Sequence, residues 1–352
     1  MADPWLAVRG RVLPSGDPIS LLAVGGIWVE GIAGKATLDV EGWILPGLVD
    51  VHTHPGAHEP GDGLDEDLLR EEMECAADLG VLAVRSPGLA GTPPSWFGQD
   101  PDLPAAVHAG PWLARPGHFV NGWGRRVSDE EFPRVAAEQA GQTGWCKVIG
   151  DWGPQDEPIP QAVMVAITLA VHAAGGRVAV HSQNPDGSHA AVKAKVDSIE
   201  HGVRLDRALL DEMRVNNTVL VPTLRVFEDA LVALREAPQT PRRDWGIAGA
   251  AGHAALVRDA RDAGVGILAG TDSHEITIVD EVRALATAGL SNLEAIGAAS
   301  WAARDFLGLS GLVPGSVADA TIYEVDPSVD LDALAHPRWV VRSGRIRRHG
   351  AG

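Results

Sequence analysis

The 352-residue chain is long enough for an α/β barrel of about 250 residues with a smaller addition. Its formal net charge of -18 argues against nucleic-acid binding, which needs basic surfaces. No apolar run reaches the ~20 residues that span a bilayer, and residues 1–10 lack a basic-then-apolar leader, so we expect a cytoplasmic protein without a membrane anchor. Cys75 and Cys146 cannot make a disulfide framework, and we expect both to be buried thiols.

Both ends of the chain have the pattern of small antiparallel strands. Residues 4–44 contain short apolar pieces punctuated by glycines, and residues 318–324 and 339–341 repeat this pattern near the C-terminus. Two similar ends around a different middle predict one small β-sandwich domain, formed by residues 1–45 together with residues 312–352.

Between the two ends, apolar strands alternate with helical stretches, which is typical of parallel strand pairing. The predicted strands begin at Leu45, Val81, Trp112, Trp145, Arg177, Asp197, Thr218 and Val265. Residues 88–110 are rich in glycine and proline and are expected to be mainly loop. Eight such strands predict an α/β fold, a (β/α)8 TIM barrel over residues 46–311, whose active site lies at the C-terminal ends of the strands.

The first predicted barrel strand ends in two histidines, His52 and His54, with one residue between them. Because residues i and i+2 of a strand face the same way, the two imidazoles are expected to point together beyond the strand. Neutral imidazole is a common ligand of zinc and related ions. Taken alone, the pair fits two ordinary loop histidines as well as it fits a metal site.

Ligand-type side chains also lie at the ends of later strands. Lys147 is on strand four, His181 and His201 end strands five and six, and Asp272 ends strand eight. Each has an ordinary explanation: hydrogen-bonded loop histidines, a lysine extending to the surface, and an aspartate that caps a helix. Together with the first pair, however, they form a set of ligand-type residues on five strand ends, and that set predicts one shared metal centre.

Over essentially its full length the chain resembles the amidohydrolase superfamily of metal-dependent hydrolases. The motifs that carry this resemblance are Leu45-Pro-Gly-Leu-Val-Asp-Val-His-Thr-His54, Lys147, His181, Ser198-Ile-Glu-His-Gly202, Gly270-Thr-Asp-Ser273 and Gly315-Ser-Val-Ala-Asp-Ala-Thr-Ile322. Within the superfamily, the strand-four lysine and the stretch Val221-Pro-Thr-Leu224 are most similar to the imidazolonepropionase-like and Xaa-Pro dipeptidase group.

The resemblance implies two zinc ions per chain, bridged by a carboxylated Lys147. The implied ligands are His52, His54 and Asp272 for the more buried ion, and His181 and His201 for the other. A lysine must be neutral to take up carbon dioxide, and burial in the apolar run 145–149 is expected to lower the pKa of Lys147. Manganese, iron or cobalt would also suit these ligand types.

The same parts imply hydrolysis of an amide, cyclic amide or ester bond in a small molecule. A hydroxide bridging the ions would attack the carbonyl carbon, and Asp272 would accept its proton and pass it to the leaving group. His118, at the end of Arg115-Pro-Gly-His118, is a candidate donor to the developing oxyanion, as in related enzymes that carry a histidine there. Its alternative is a loop histidine bonded to the backbone.

The region expected to select the substrate departs from the family pattern. Related dipeptidases have a tyrosine just after strand seven, whereas this chain has Arg225-Val-Phe227 there and a single tyrosine, Tyr323, in the β domain. This departure puts a dipeptidase activity in doubt. Arg225 is a candidate partner for the carboxylate of a dipeptide or an N-acyl amino acid, and the alternative is a surface arginine.

Further groups lie close in sequence to the predicted ligands. Trp123 and Trp152 follow strands three and four, and either wall an apolar substrate pocket or pack in the core. His58 and His274 are candidates for groups that orient the ligands. The composition is compatible with a homo-oligomer, and no partner other than a small-molecule substrate is expected.

Three classes of function stay open to the sequence. The first is the binuclear hydrolase, with lactones among its candidate substrates, and the second is a mononuclear aminohydrolase that deaminates a heterocycle. Deaminases of the superfamily generally lack the strand-four lysine and have a glutamate near the strand-five histidine, whereas Ser182-Gln-Asn184 follows His181 here. The third class, a non-catalytic scaffold, would be expected to have lost ligands that this chain retains.

Overall fold

The computed structural model describes residues 5–30 and 38–347. Its strands are Leu6–Val12 (β1), Asp17–Val24 (β2), Ile27–Glu30 (β3), Leu38–Leu45 (β4), Leu48–Asp50 (β5), Val81–Ser86 (β6), Ala105–His108 (β7), Leu113–Ala114 (β8), Arg125–Arg126 (β9), Trp145–Ile149 (β10), Arg177–Ser182 (β11), Ser198–His201 (β12), Val219–Val221 (β13), Ala320–Tyr323 (β14), Trp339–Arg342 (β15) and Arg345–Arg347 (β16). Its α-helices are Glu66–Asp78 (α1), Phe132–Thr143 (α2), Gln161–Ala173 (α3), Pro185–Ala194 (α4), Leu210–Asn216 (α5), Leu224–Glu236 (α6), Pro241–Asp262 (α7), Ile278–Ala288 (α8), Asn292–Ala298 (α9) and Trp301–Leu307 (α10).

Strands from both ends of the chain form one seven-stranded sheet in the order β16-β15-β14-β4-β1-β2-β3. The junction is between β14 and β4, which pair antiparallel with Ile322 opposite Ile44. Apolar side chains from both ends form one buried cluster beneath this sheet, because alternate residues of each strand face the same side. The boundaries of the two predicted domains stay a prediction.

The middle of the chain contains parallel strands in two sheets, β5-β6-β7 and β13-β12-β11-β10-β8-β9. Residues 265–269 connect the two sheets: the Leu268 amide donates to Leu220 at 3.0 Å, and the Val51 amide donates to Ala269 at 3.0 Å. Among the described residues no ladder pairs β7 with β8, so the parallel strands do not form one closed sheet. The C-terminal ends of β5, β10, β11 and β12 nevertheless share one edge.

Several predicted elements differ from the structure. The run 45–51 is divided between β4 and β5 at Pro46, which has no amide hydrogen for a ladder. The predicted loop 88–110 contains β7, and the predicted eighth strand is reduced to a single bridge between Ile267 and Leu220. Helix α6, which packs on the next helix, α7, was not predicted.

The prediction that both cysteines are buried is half wrong. Cys146 is buried in β10, whereas Cys75 is exposed on α1. Helix α1 buries Leu69, Met73 and Ala77, which recur every four residues, and Cys75 falls on the opposite face. In the ranges 5–30 and 38–347, no helix has the length and apolar character needed to cross a bilayer.

Candidate metal centre

Three side chains converge where β5 ends beside the 265–272 segment. The Nε2 atoms of His52 and His54 lie 3.1 Å apart. The Oδ1 atom of Asp272 lies 3.4 Å from each of those nitrogens. The i, i+2 spacing of the histidines therefore brings them together as the strand period predicts.

The hydrogen bonds of the two imidazoles decide where their protons lie. His52 Nδ1 is 2.6 Å from the Glu200 carboxylate, and His54 Nδ1 is 2.8 Å from the Gly88 carbonyl oxygen. A carbonyl oxygen can only accept, and Glu200 is ionised, since Arg85 and Lys147 lower its pKa against the raising effect of burial. Each Nδ1 must then donate, which leaves a lone pair on each Nε2.

The three converging atoms, His52 Nε2, His54 Nε2 and Asp272 Oδ1, are therefore all hydrogen-bond acceptors, and no proton lies between them. Burial, reinforced by the charge of Lys147, lowers the pKa of His52 well below its ordinary value, so a second proton on this ring is disfavoured. Two imidazole lone pairs and a carboxylate oxygen in mutual contact repel one another unless a cation lies among them. These residues fit a metal ion by the chemistry of their donor atoms, independently of any family resemblance.

The other predicted ligands lie in the same site. The ring of His201 is 5.0 Å from that of His52 and 4.6 Å from that of His181, measured between centroids. Burial lowers the pKa of both His181 and His201 well below the ordinary value. In the part of the chain that the structure describes, His181 Nε2 and Lys147 Nζ are buried without a hydrogen-bond partner, which suits atoms that bind something else.

A buried ion pair, which the sequence analysis did not predict, holds His52 in its orientation. Glu200 accepts two hydrogen bonds from Arg85 Nη2, at 2.8 and 2.9 Å, while its Oε2 also holds His52. Arg85 in turn donates through Nε to the Val51 carbonyl oxygen at 2.6 Å, just before His52 in the chain. An arginine inside the apolar run 81–86 was the available signal, since a buried charge needs a partner.

We expect Glu200→Gln to weaken metal binding about 10- to 100-fold, the usual cost of losing a group that orients a metal ligand. The amide presents only one acceptor oxygen and leaves Arg85 without a balancing charge, so metal-free protein should also lose roughly 3–5 kcal/mol of stability. Competition with a chelator and urea denaturation measure the two effects. Glu212→Gln, which removes the partly exposed partner of Lys193, is the matched control. Unchanged metal affinity would show that Glu200 does not orient His52.

Asp50 connects the two segments that carry the converging ligands. Its Oδ1 accepts from the His52 amide at 3.0 Å and the Thr271 amide at 3.2 Å, and its Oδ2 accepts from Thr271 Oγ1 at 2.7 Å. Burial raises the pKa of Asp50 to about 6 although these bonds act to lower it. Gly270 permits the close approach, because a Cβ there would be 2.4 Å from His52 Cβ.

Three non-glycine residues at the site have left-handed backbone conformations. They are His201 (φ 67), Thr223 (φ 47) and Asp272 (φ 53). Thr223 Oγ1 lies 2.8 Å from His201 Nδ1, and Glu281 accepts from the next two amides, Leu224 and Arg225, at 2.8 Å each. Such strain persists only where surrounding contacts hold it, as these do, and it is concentrated at functional sites.

A cavity of about 850 Å³ opens onto the six predicted ligands, and Trp123, Trp152, His58 and His274 also line it. His118 is not among its described lining residues, and its Nδ1 lies 3.1 Å from the Pro116 carbonyl oxygen. Arg225 is likewise outside the lining, with Nη2 2.6 Å from Asp229 Oδ1. The roles assigned to these two residues stay predictions that no contact in the structure supports.

Comparison with known proteins agrees with this description. Residues 123–346 match the model of the amidohydrolase family. An uncharacterized protein of Mycobacterium tuberculosis is 38% identical over 370 residues, which cover 97% of this chain and 95% of that protein. A Xaa-Pro dipeptidase with bound methionine has a TM-score of 0.81 at 21% identity, covering 98% of this chain and 100% of its own. The A. niger ochratoxinase has a TM-score of 0.81 at 20% identity, covering 99% of this chain and 97% of its own.

The parallel strands of the middle end at a cluster of histidines with one carboxylate, which is where α/β enzymes commonly have their active sites. The chain belongs to the amidohydrolase family. This confirms the superfamily resemblance that the sequence motifs indicated. The structural neighbours have low sequence identity, so they are evidence for the fold alone.

Proposed function

We propose that the protein hydrolyses an amide, cyclic amide or ester bond of a small molecule with two zinc ions and a carboxylated Lys147. The observation that carries the proposal is the contact of two imidazole lone pairs with the Asp272 carboxylate, beside a buried lysine amine that has no partner within the described structure. Family membership gives the hydrolase class, and the amide-type bond is inferred from it.

The surroundings of Lys147 support carboxylation. Burial lowers the pKa of Lys147 to about 8, although the carboxylates of Glu200 and Asp272 act to raise it. At pH 7 the Lys147 amine is then neutral in roughly one-tenth of the molecules. A neutral Nζ can form a bond with the carbon of carbon dioxide and release a proton. The carbamate has two oxygens and a negative charge, which suit a bridge between two cations better than an unpaired ammonium does.

The proposed ligand sets are those that the family resemblance implies. His52, His54 and Asp272 would hold one ion, His181 and His201 the other, and the Lys147 carbamate both. When bound, the ions supply an activated water and polarise the substrate carbonyl. Asp272, with 24% of its side chain exposed, faces the cavity and is the group that would accept a proton from this water and deliver it to the leaving group.

We also infer that the two parallel sheets belong to one (β/α)8 barrel. The segment 265–269 already joins β13 to β5 by backbone hydrogen bonds, and the family is built on such barrels. At the other junction of the two sheets, β7 and β8 are not paired by a ladder among the described strands.

Metal stoichiometry tests the proposal. Protein purified with zinc and bicarbonate is expected to contain two zinc ions per chain, and protein prepared without carbon dioxide should contain fewer because the bridge cannot form. Elemental analysis of desalted protein measures the ratio. A ratio that stays at one with bicarbonate present would instead support the mononuclear aminohydrolase alternative.

A further inference from the structure

One side of the cavity is formed by an aromatic wall, which consists of Trp112, Phe119, Trp123 and Trp152. The rings of Trp112 and Trp123 are stacked, with centroids 4.7 Å apart and planes 8° from parallel. Phe119 meets Trp152 edge-on at 4.9 Å, and Trp152 lies 5.2 Å from the ring of His181. The aromatic wall therefore extends to a proposed metal ligand, where a substrate would react.

The aromatic wall is held in place before any ligand arrives. Arg126 donates to the carbonyl oxygens of Val120 and Trp123, at 2.7 Å each, and so fixes the loop that carries two of the four rings. Trp123 Nε1 donates to the Asp62 carbonyl oxygen at 2.6 Å. A rigid apolar surface loses little conformational entropy on binding, so it favours a flat apolar group on the substrate.

Apart from the proposed metal ions, the described lining of the cavity offers a substrate carboxylate no lysine or arginine with which to pair. Of the described residues that line it, Lys147 alone is a lysine or arginine, and this lysine is 1% exposed and is a proposed metal ligand. Six arginines are within three residues of a lining residue, and all six are outside the described lining. Five of them have partners: Arg70 pairs with Asp100, Arg85 with Glu200 and Arg115 with Asp129, and Arg126 and Arg204 bind backbone carbonyl oxygens. The sixth, Arg125, is exposed on β9, and Arg225, the predicted carboxylate partner, pairs with Asp229.

The outer part of the cavity carries negative charge instead. Four glutamates line it: Glu59, Glu71, Glu72 and Glu275. Three of them are exposed to solvent, and Glu72 is half-buried with Oε2 accepting from the Gly56 amide at 2.7 Å. A substrate carboxylate at this level would face like charges, whereas an ammonium would be attracted.

The geometry points to a substrate that has an aromatic group and no carboxylate, with a positive charge tolerated or preferred on the part that faces the glutamates. This inference rests on the proposed hydrolase function and narrows its substrate class. It separates the protein from hydrolases of dipeptides and N-acyl amino acids, whose substrates carry a carboxylate that a binding site would have to pair.

Three aromatic hydroxamic acids test the inference without knowledge of the substrate. Benzohydroxamic acid, its 4-carboxy derivative and its 4-aminomethyl derivative share one metal-binding head and differ in the substituent at the far end of the ring, which is hydrogen, a carboxylate or an ammonium-bearing group. Calorimetric titration of the zinc-loaded full chain measures their affinities. We expect the carboxy compound to bind at least ~10-fold more weakly than the neutral compound, and the aminomethyl compound to bind at least as tightly as the neutral one.

The outcomes separate this inference from the function on which it rests. Equal or tighter binding of the carboxy compound overturns the inference and leaves the metal centre intact. Failure of all three compounds to bind protein that contains zinc overturns the inference that the cavity accepts an aromatic group, whereas failure of the protein to take up zinc overturns the proposed metal centre. Raising the salt concentration should reduce the preference for the aminomethyl compound, because the glutamates are largely exposed.

Adding a cationic side chain to the wall of the cavity provides a second test. Val120 is half-buried, lines the cavity and lies next to the aromatic wall. Val120→Arg is expected to bind the carboxy compound at least ~10-fold more tightly, relative to Val120→Leu, while the neutral compound changes less than about twofold. If the two variants bind the carboxy compound equally, the absence of a cation does not determine the selectivity.

The aromatic wall can be tested in the same titrations. Trp152→Ala, compared with Trp152→Phe, should weaken the binding of all three compounds together.

Discussion

Lys147→Ala is expected to abolish the binuclear centre and to lower turnover by at least ~10³-fold, because it removes a ligand shared by both ions. Bound zinc should fall from two ions per chain to one or none. Elemental analysis and a turnover assay, with any amide or ester that the protein cleaves, measure the two quantities on the same preparation. Two retained ions with near-normal turnover would show that the carbamate bridge is wrong.

A matched variant distinguishes a missing ligand from a damaged fold. In Lys147→Ala a short acid such as propionate can enter the vacated space and replace the carbamate oxygens, so metal content and turnover should partly recover. In Lys147→Met the side chain fills that space, and no recovery is expected. Lysine Nζ is buried without a partner within the described residues, so Lys147→Met should not lower the free energy of unfolding of metal-free protein.

Asp272→Asn is expected to lower turnover by ~10²–10⁴-fold, the usual contribution of a general base, with a smaller effect on bound metal. Asparagine keeps the shape and one ligand oxygen, whereas its amide cannot accept a proton at neutral pH. Asp272 Oδ2 also lies 3.7 Å from His201 Nδ1, so the substitution changes charge at the centre of the site.

The ratio of turnover to bound metal provides the specific readout for Asp272. Asp272→Asn should lower turnover per bound zinc ion, because it keeps a ligand oxygen and loses the proton acceptor. Asp272→Ala is the comparison, since it should lose metal as well as turnover. Near-normal turnover with Asp272→Asn would move the proton transfer to another group, with His274, which also lines the cavity, the next candidate.

The candidate metal ligands could be found in the sequence because their positions depend on local periodicity. His52 and His54 face the same way because a strand repeats every two residues, and Lys147, His181 and His201 are in or at the ends of predicted strands that proved to be β10, β11 and β12. Parallel strands bring such positions to one edge whatever the loops between them do.

Substrate-facing residues were harder to predict because their placement depends on loops. His118 is only four residues beyond β8, yet its ring turns to the Pro116 carbonyl oxygen, whereas the adjacent Phe119, with φ 69, reaches the aromatic wall. Arg225 lies within the first turn of α6, where Asp229 at i+4 pairs with it. The position of His118 does not follow from strand or helix period, and the pairing of Arg225 follows from helix period only once α6 is known to begin at Leu224.

Apolar periodicity and motif spacing were sufficient to predict the α/β class, the parallel pairing of strands in the middle of the chain and the set of ligand-type residues. Which atoms meet depends on the tertiary structure: Arg85 and Glu200, 115 positions apart, form the ion pair that orients His52. It also decided that the cavity has an aromatic wall and an acidic outer part with no free cation among its described lining residues. Such pairings depend on side-chain directions across separate strands and loops, and a one-dimensional pattern does not contain those directions.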